Sequence, residues 1–244
     1  MFEVDLNCDM GENCGNDALL MPYLSSCSIA CGGHVGDENS IIETLLLAKK
    51  NSVKVGVHPA YPDPENFGRK SMSISKNELK ESLEQQIRLF ISCCKKTNSP
   101  INHIKPHGAL YNDLFLDAVK VDVFLQVVQD LLPEAQLYCA PNSLLGKEAK
   151  ALNIQVKPEG FMDRAYELNG SLRSRLMDGA ILTDLNRVGD QVLSLIKTQT
   201  TQTFDGEIIP LEVQTLCLHG DHPEALKVIQ YVNQVLISNG IDVL

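Results

Sequence analysis

The chain has 244 residues, 44% of them hydrophobic and 21% charged, with a net charge of -10 and a pI near 5.0. That length fills one core, and so acidic a balance argues against nucleic acid or anionic membrane as the main partner, while a local Lys/Arg cluster can still hold an anionic small molecule. Met1 runs almost directly into a strand-like stretch and no apolar run approaches the roughly 18 residues of a membrane span, so a cytoplasmic protein without a leader is expected.

The first element, VDLNCD over 4–9, alternates apolar Val4, Leu6 and Cys8 with polar Asp5, Asn7 and Asp9, and Glu12 follows a turn at Gly11. A strand sends alternate side chains to opposite faces, so two carboxylates and an amide line one face together. A second strand covers 25–31, and Asp37 caps a helix carrying Ile41, Leu45 and Ala48 at helical spacing. VKVGVHP, 53–59, is a third strand. A capping box, Ser75 with Glu78, opens a long helix with Leu79, Leu83, Ile87 and Phe90 on one face. INHIKPHGAL, 101–110, is a fourth strand and turn. Asp117 opens the next helix, which Pro133 stops. A fifth strand (136–141), a short helix (143–152) and a sixth strand (154–161) follow. After a polar loop, Asp184 starts another helix to about Lys197. TQTTQTFDGEIIP reads as a loop or hairpin turning at Gly206. The last strand is 213–221, and Asp221 with Glu224 reads as a second capping box before a helix that Gly240 ends.

Seven strands alternating with helices, with no linker, predict a mainly parallel sheet in one domain over 1–244. An open doubly wound sheet buries both faces in continuous Val/Ile/Leu runs. These strands instead carry polar faces: Asp5/Asn7/Asp9, Gly56/His58, His103/Lys105/His107 and Thr215/Cys217/His219/Asp221. A single-domain (β/α)7 TIM-like barrel, polar groups converging at the C-terminal mouth, fits that pattern. A lone buried histidine is usually a satisfied core residue, but five of the six lie at or near strand ends. His34 joins this rim. Arg69 and Lys70 follow the third strand and suit a carboxylate or phosphate, against the reading of a solvated loop. Asp163 beside Arg164 reads equally as a site pair or a surface salt bridge.

The eight cysteines read as reduced: Cys8, Cys14, Cys27 and Cys31 lack a zinc spacing, and Cys93–Cys94 reads as helix packing. His103 and His107 would stand about 13 Å apart along a strand, so a metal ion needs ligands from different strands. Neither GxxxxGK[ST], GxGxxG nor GxSxG occurs, which argues against a P-loop ATPase, a dehydrogenase and a serine hydrolase.

Six ordered motifs, DLNCDMGE, SSCSIACGGHVGD, GVHPAYPDPENFGRK, HIKPHGALYN, EGFMDRAYELNGSLRSR and LCLHGDHPEAL, resemble the LamB/YcsF family from Asp5 to Ile241. Gly33, where that family usually has an aromatic residue, is expected to widen the pocket or change what closes over it, and His222 replaces a common Thr. The resemblance implies a barrel of the glycoside hydrolase/deacetylase type. It also implies the A-subunit role in an ATP-dependent 5-oxoprolinase, in which 5-oxo-L-proline, ATP and two waters give L-glutamate, ADP and phosphate. ATP is then a co-substrate of a complex with B and C subunits. For that chemistry Asp9 is expected to be the base, helped by His58, with Lys105 and His107 stabilising the phosphoryl oxygen or oxyanion. Arg69 or Arg164 would hold the substrate carboxylate, Asn7 and His34 would orient the ring, and Glu12, Asp163 and His219 complete the expected binding set. Two other readings stand beside it. One is a stand-alone metal-dependent amidase or deacetylase using Asp9, His34, His58 and His107. The other is a non-catalytic subunit that binds 5-oxoproline.

Overall fold

The computed structural model describes residues 2–222 and 224–244. Seven parallel strands close on themselves: β1 (Phe2–Met10), β2 (Ser26–Ala30), β3 (Lys54–His58), β4 (Ile101–Ile104), β5 (Gln136–Cys139), β6 (Val156–Phe161) and β9 (Thr215–Leu218), which pairs back onto β1. This is the expected (β/α)7 barrel. An antiparallel hairpin, β7 (Thr200–Gln202) with β8 (Ile208–Pro210), occupies the threonine-rich stretch. A short β10 (Ile241–Val243), not anticipated from sequence, pairs in parallel with the free side of β1's first residues.

The helices are α1 (Asp17–Leu20), α2 (Glu38–Lys50), α3 (Lys76–Thr97), α4 (Gly108–Asp113), α5 (Ala118–Leu131), α6 (Leu144–Ala151), α7 (Leu185–Lys197) and α8 (Ala225–Ser238). Their starts follow side-chain chemistry. Asp37/Ser40 and Ser75/Glu78 form reciprocal capping boxes, and Asp117, Ser143 and Asp184 each accept from backbone amides of the first turn. The expected box at Asp221/Glu224 does not form. Among the described residues, Glu224 makes no side-chain cap bond, and Asp221 turns to two arginines. His222 does the local work instead: its Nδ1 accepts from the Glu224 amide at 3.1 Å.

Both faces of β1 are buried. Leu6, Cys8 and Met10 join the apolar layer under the helices, and Asp5, Asn7 and Asp9 climb the lumen. Asp5, at the floor, accepts from Ser26 Oγ at 2.8 Å and Thr215 Oγ1 at 2.6 Å and pairs with Lys157 at 3.0 Å. Pro106 does not derail β4: the amides of Lys105 and His107 still donate to Val57 O and Pro59 O, at 3.0 and 2.8 Å. Both side chains therefore reach the lumen.

His103 lies lower than expected. It stacks on Tyr138 with ring centroids 3.9 Å apart and shares a 3.0 Å hydrogen bond with Ser28, so it belongs to the barrel's interior packing rather than its rim. Gly56 makes this possible, because a Cβ there would collide with the His103 ring.

Candidate active site

Above that floor the lumen holds a continuous polar cluster. Asn7 donates to Glu159 Oε1 at 3.0 Å and to Thr215 Oγ1 at 2.7 Å. Lys105 Nζ lies 2.9 Å from both Asp9 Oδ1 and Glu159 Oε1, and 3.0 Å from Cys217 Sγ. All are buried. Burial favours the uncharged amine, but Asp9, Cys217 and Glu159 outweigh it and hold the Lys105 ammonium well above its usual range. Burial also raises the Glu159 carboxyl, against the pull of Lys105.

Next to Lys105, two histidines meet with constrained tautomers. His58 Nδ1 is 2.8 Å from Lys105 O, and His107 Nε2 is 2.9 Å from Phe67 O. A carbonyl can only accept, so both of those nitrogens carry hydrogen. The other two nitrogens, His58 Nε2 and His107 Nδ1, then face each other at 3.0 Å. They also face Asp9 Oδ2 (3.4 Å from His58) and Glu12 Oε1 (3.2 Å from His107 and 3.9 Å from His58). Four acceptors converge, all within 4.8 Å of one another. Such a cluster needs positive charge at its centre, either a shared proton or a metal ion. Burial would raise the Asp9 carboxyl, but His58 and Lys105 hold it well below its ordinary value. Glu12 is likewise held low, against burial, by His107 through the shared proton and by a hydrogen bond from His34.

His34 stacks on His107 with centroids 3.6 Å apart and lies 2.9 Å from Glu12 Oε1. Burial brings its pKa down to about 4, so at neutral pH it is an uncharged donor to Glu12. The metal set expected from sequence, Asp9, His34, His58 and His107, is therefore corrected at one place: Glu12 supplies the fourth converging atom, and His34 supports it from behind.

Other expected residues divide. Asp163 is buried and lies 3.1 Å from His219 Nδ1, which makes it neither a surface ion pair nor a partner of its neighbour Arg164. Opposing burial, His219 and Arg164 hold its carboxyl near 2, while burial lowers the His219 imidazole despite Asp163. Arg164 points into its own loop and donates to Ala180 O and Arg173 O. Arg69 reaches the mouth, over the Phe67 ring, and pairs with Asp221. Gly33 does not widen the lumen: the space beside it is filled by Gln86 of α3, which also bridges the Ala60 amide and carbonyl. Glu159, Tyr111 and Arg175 were not singled out from sequence, and Cys217 was placed on the lumen face without a role. Tyr111 Oη, Glu159 Oε2 and His34 Nδ1 are buried with no hydrogen-bond partner among the described residues.

Fold and site together define a (β/α)7 barrel with a buried carboxylate–histidine–lysine centre under its C-terminal mouth. The LamB/YcsF family matches residues 4–244, and this chain belongs to it. It is 37% identical, over 98% of its length and 96% of the relative's, to the 5-oxoprolinase A subunit of Acinetobacter baumannii (strain AB307-0294). It is 38% identical to the 5-oxoprolinase A subunit of Staphylococcus aureus (strain JH9), over 99% of each chain. The solved lactam utilization protein from Thermus thermophilus superposes with a TM-score of 0.91 at 33% identity, over 99% of this chain and 98% of that one. A family 4 carbohydrate esterase from Streptomyces lividans, at a TM-score of 0.51 and 9% identity over 99% and 91% of the chains, shares the fold.

Proposed function

We propose that this chain is the lactam-handling A subunit of an ATP-dependent 5-oxoprolinase, acting with B and C subunits. The relatives' names support the substrate class, and one observation carries the chemistry. Asp9 is held ionised between Lys105 Nζ at 2.9 Å and His58 Nε2 at 3.4 Å in a buried lumen. A five-membered lactam is a stabilised amide, and transfer of the ATP γ-phosphoryl group to its oxygen creates a carbon that water can attack. ADP leaves in that step. Asp9 takes the proton of the attacking water, and His58 accepts part of its charge. Lys105, and His107 when its Nδ1 carries the shared proton, face the oxygen on which negative charge grows. The ring C–N bond then breaks with the proton going to nitrogen, and loss of phosphate, with the second water, leaves glutamate. Arg69 holds the substrate carboxylate. Asn7 and His34 orient the ring, with Glu12 and the Asp163–His219 pair behind them.

The four converging acceptors favour a second reading, a metal-dependent amidase. Asp9, Glu12, His58 and His107 would hold a zinc-like ion, which would supply an acidified water or polarise the carbonyl. One assay separates the readings. Glutamate and ADP are measured from 5-oxoproline with the chain alone, with B and C subunits, with ATP withheld, and with chelator. Release only from the complete ATP-containing mixture is the expected result. Release by the metal-loaded chain without ATP would transfer the assignment to the amidase. Asp9→Asn should abolish turnover with the fold intact, and an active, folded variant would remove Asp9 from the role of base.

A further inference from the structure

Three loops distant in sequence meet over the mouth at one carboxylate. Asp221, beyond β9, accepts from Arg69, beyond β3, and from Arg175 Nη1, beyond β6, the latter at 3.4 Å. All three side chains are half-buried, and two guanidiniums on one carboxylate leave the group with a net positive charge. Beneath them Asp9, Glu12, His34, His58, Lys105 and His107 are all at most 5% exposed, so a ligand can reach the centre only if part of the mouth moves. The Arg69 loop also touches the reacting groups. Phe67 O receives His107 Nε2, Gly68 O receives the Ala109 amide at 2.9 Å, and a Cβ on Gly108 would lie 2.6 Å from Gly68 O. Displacing Arg69 therefore bears on the placement of His107.

We propose that Arg69 and Arg175 form a two-arginine clamp for the substrate carboxylate, and that Asp221 occupies that seat until substrate arrives. An incoming lactam carboxylate takes the place of Asp221, and the mouth opens in the same exchange. Carboxylate for carboxylate conserves charge and suits the forked geometry of guanidinium, so the swap leaves neither arginine unpaired. No covalent bond changes. Asn16 Nδ2 holds Gly220 O at 2.7 Å and His222 Nε2 lies 3.3 Å from Leu182 O, which ties the Asp221 loop at both ends and keeps its movement local. The clamp stands on this geometry; the identity of its ligand rests on the 5-oxoproline reading.

Amide hydrogen exchange and calorimetry on the whole chain test the clamp, using the wild type, Asp221→Asn and Arg175→Gln. The ligands are 5-oxo-L-proline and 2-pyrrolidinone, which lacks the carboxylate. Asp221→Asn should speed exchange around residues 66–70, 173–177 and 219–222. It should also bind 5-oxoproline about five- to tenfold tighter, because the resident competitor is gone. Arg175→Gln should weaken 5-oxoproline about tenfold and leave 2-pyrrolidinone unchanged. Weaker 5-oxoproline binding by Asp221→Asn would overturn the exchange. Unchanged exchange rates with unchanged affinity would sink the clamp and leave the lactam reading standing. Faster exchange in Asp221→Asn with no 5-oxoproline binding by any form would sink the lactam reading and uphold the clamp.

Discussion

Lys105 is the residue on which the lumen's charge depends. It stands between Asp9 and Glu159, each 2.9 Å from its ammonium, with Cys217 beside them. Removing a buried ion's partner costs more than the pair ever contributed, because the remaining charge stays out of water. Lys105→Met should therefore lower the unfolding free energy by about 3–5 kcal/mol in urea titrations. The double variant Lys105→Met/Glu159→Gln should recover part of that loss, since one stranded carboxylate is then neutral. Equal losses in the single and double variants would show that Glu159 is not coupled to Lys105. Much of this centre is legible in the chain, because Asp5, Asn7 and Asp9 alternate so plainly with apolar neighbours. Glu159 is not: Pro158 and Gly160 flank it and mask the alternation that would mark it as lumen-facing. Cys217 shares the lumen face with Thr215 and His219 in the sequence, but nothing there marks it as a partner of Lys105, and Arg175 sits deep in an irregular loop whose course no periodicity predicts. Arg164 misleads in the opposite way, since nothing in the sequence says that its guanidinium will tie up carbonyls of its own loop.

At the level of elements, polar faces on separate strands distinguish a barrel from an open sheet, and the closure of β9 onto β1 bears that out. Capping residues locate the longer helices well, since a side chain at one position satisfies specific amides. Short pieces escape. α1 has four residues and β10 three, too few for a period of 3.6 or 2 to emerge. The misread box at Asp221 has a physical cause as well, because two arginines compete for a carboxylate more strongly than a backbone amide does. β10 nevertheless matters to the fold. Ile241 is 3% exposed and its strand lines up with Phe2 to Val4 of β1. Ile241→Ala should cost about 2–4 kcal/mol, within the usual range for emptying a buried aliphatic site. A change below about 0.5 kcal/mol in the denaturation midpoint analysis would mean that β10 is an ornament on the barrel rather than part of its closure.

Across the whole molecule, three buried histidines press in one direction. Burial holds His34, His103 and His219 below the ordinary imidazole value of 6.5, so each is neutral when folded and takes a proton when unfolded in mild acid. A folded pKa below the unfolded one means that the unfolded state binds more protons as pH falls, so stability present above 6.5 is lost below it. Each such group contributes a slope of up to about 1.4 kcal/mol per pH unit. The carboxylates add a second phase. Asp9 and Asp163 are held below 3.8, and Glu12 below 4.5, so their stabilisation is present above those values and disappears as pH drops further. Urea unfolding in chelator at pH 7, 6 and 5 should therefore give a free energy that falls steadily. His103→Gln should shallow that fall by about one proton's worth, because this ring lies outside the converging acceptor cluster. A flat profile between pH 7 and 5 would mean that these rings exchange protons as freely in the folded barrel as in the unfolded chain, and would dissolve the case for a dry lumen.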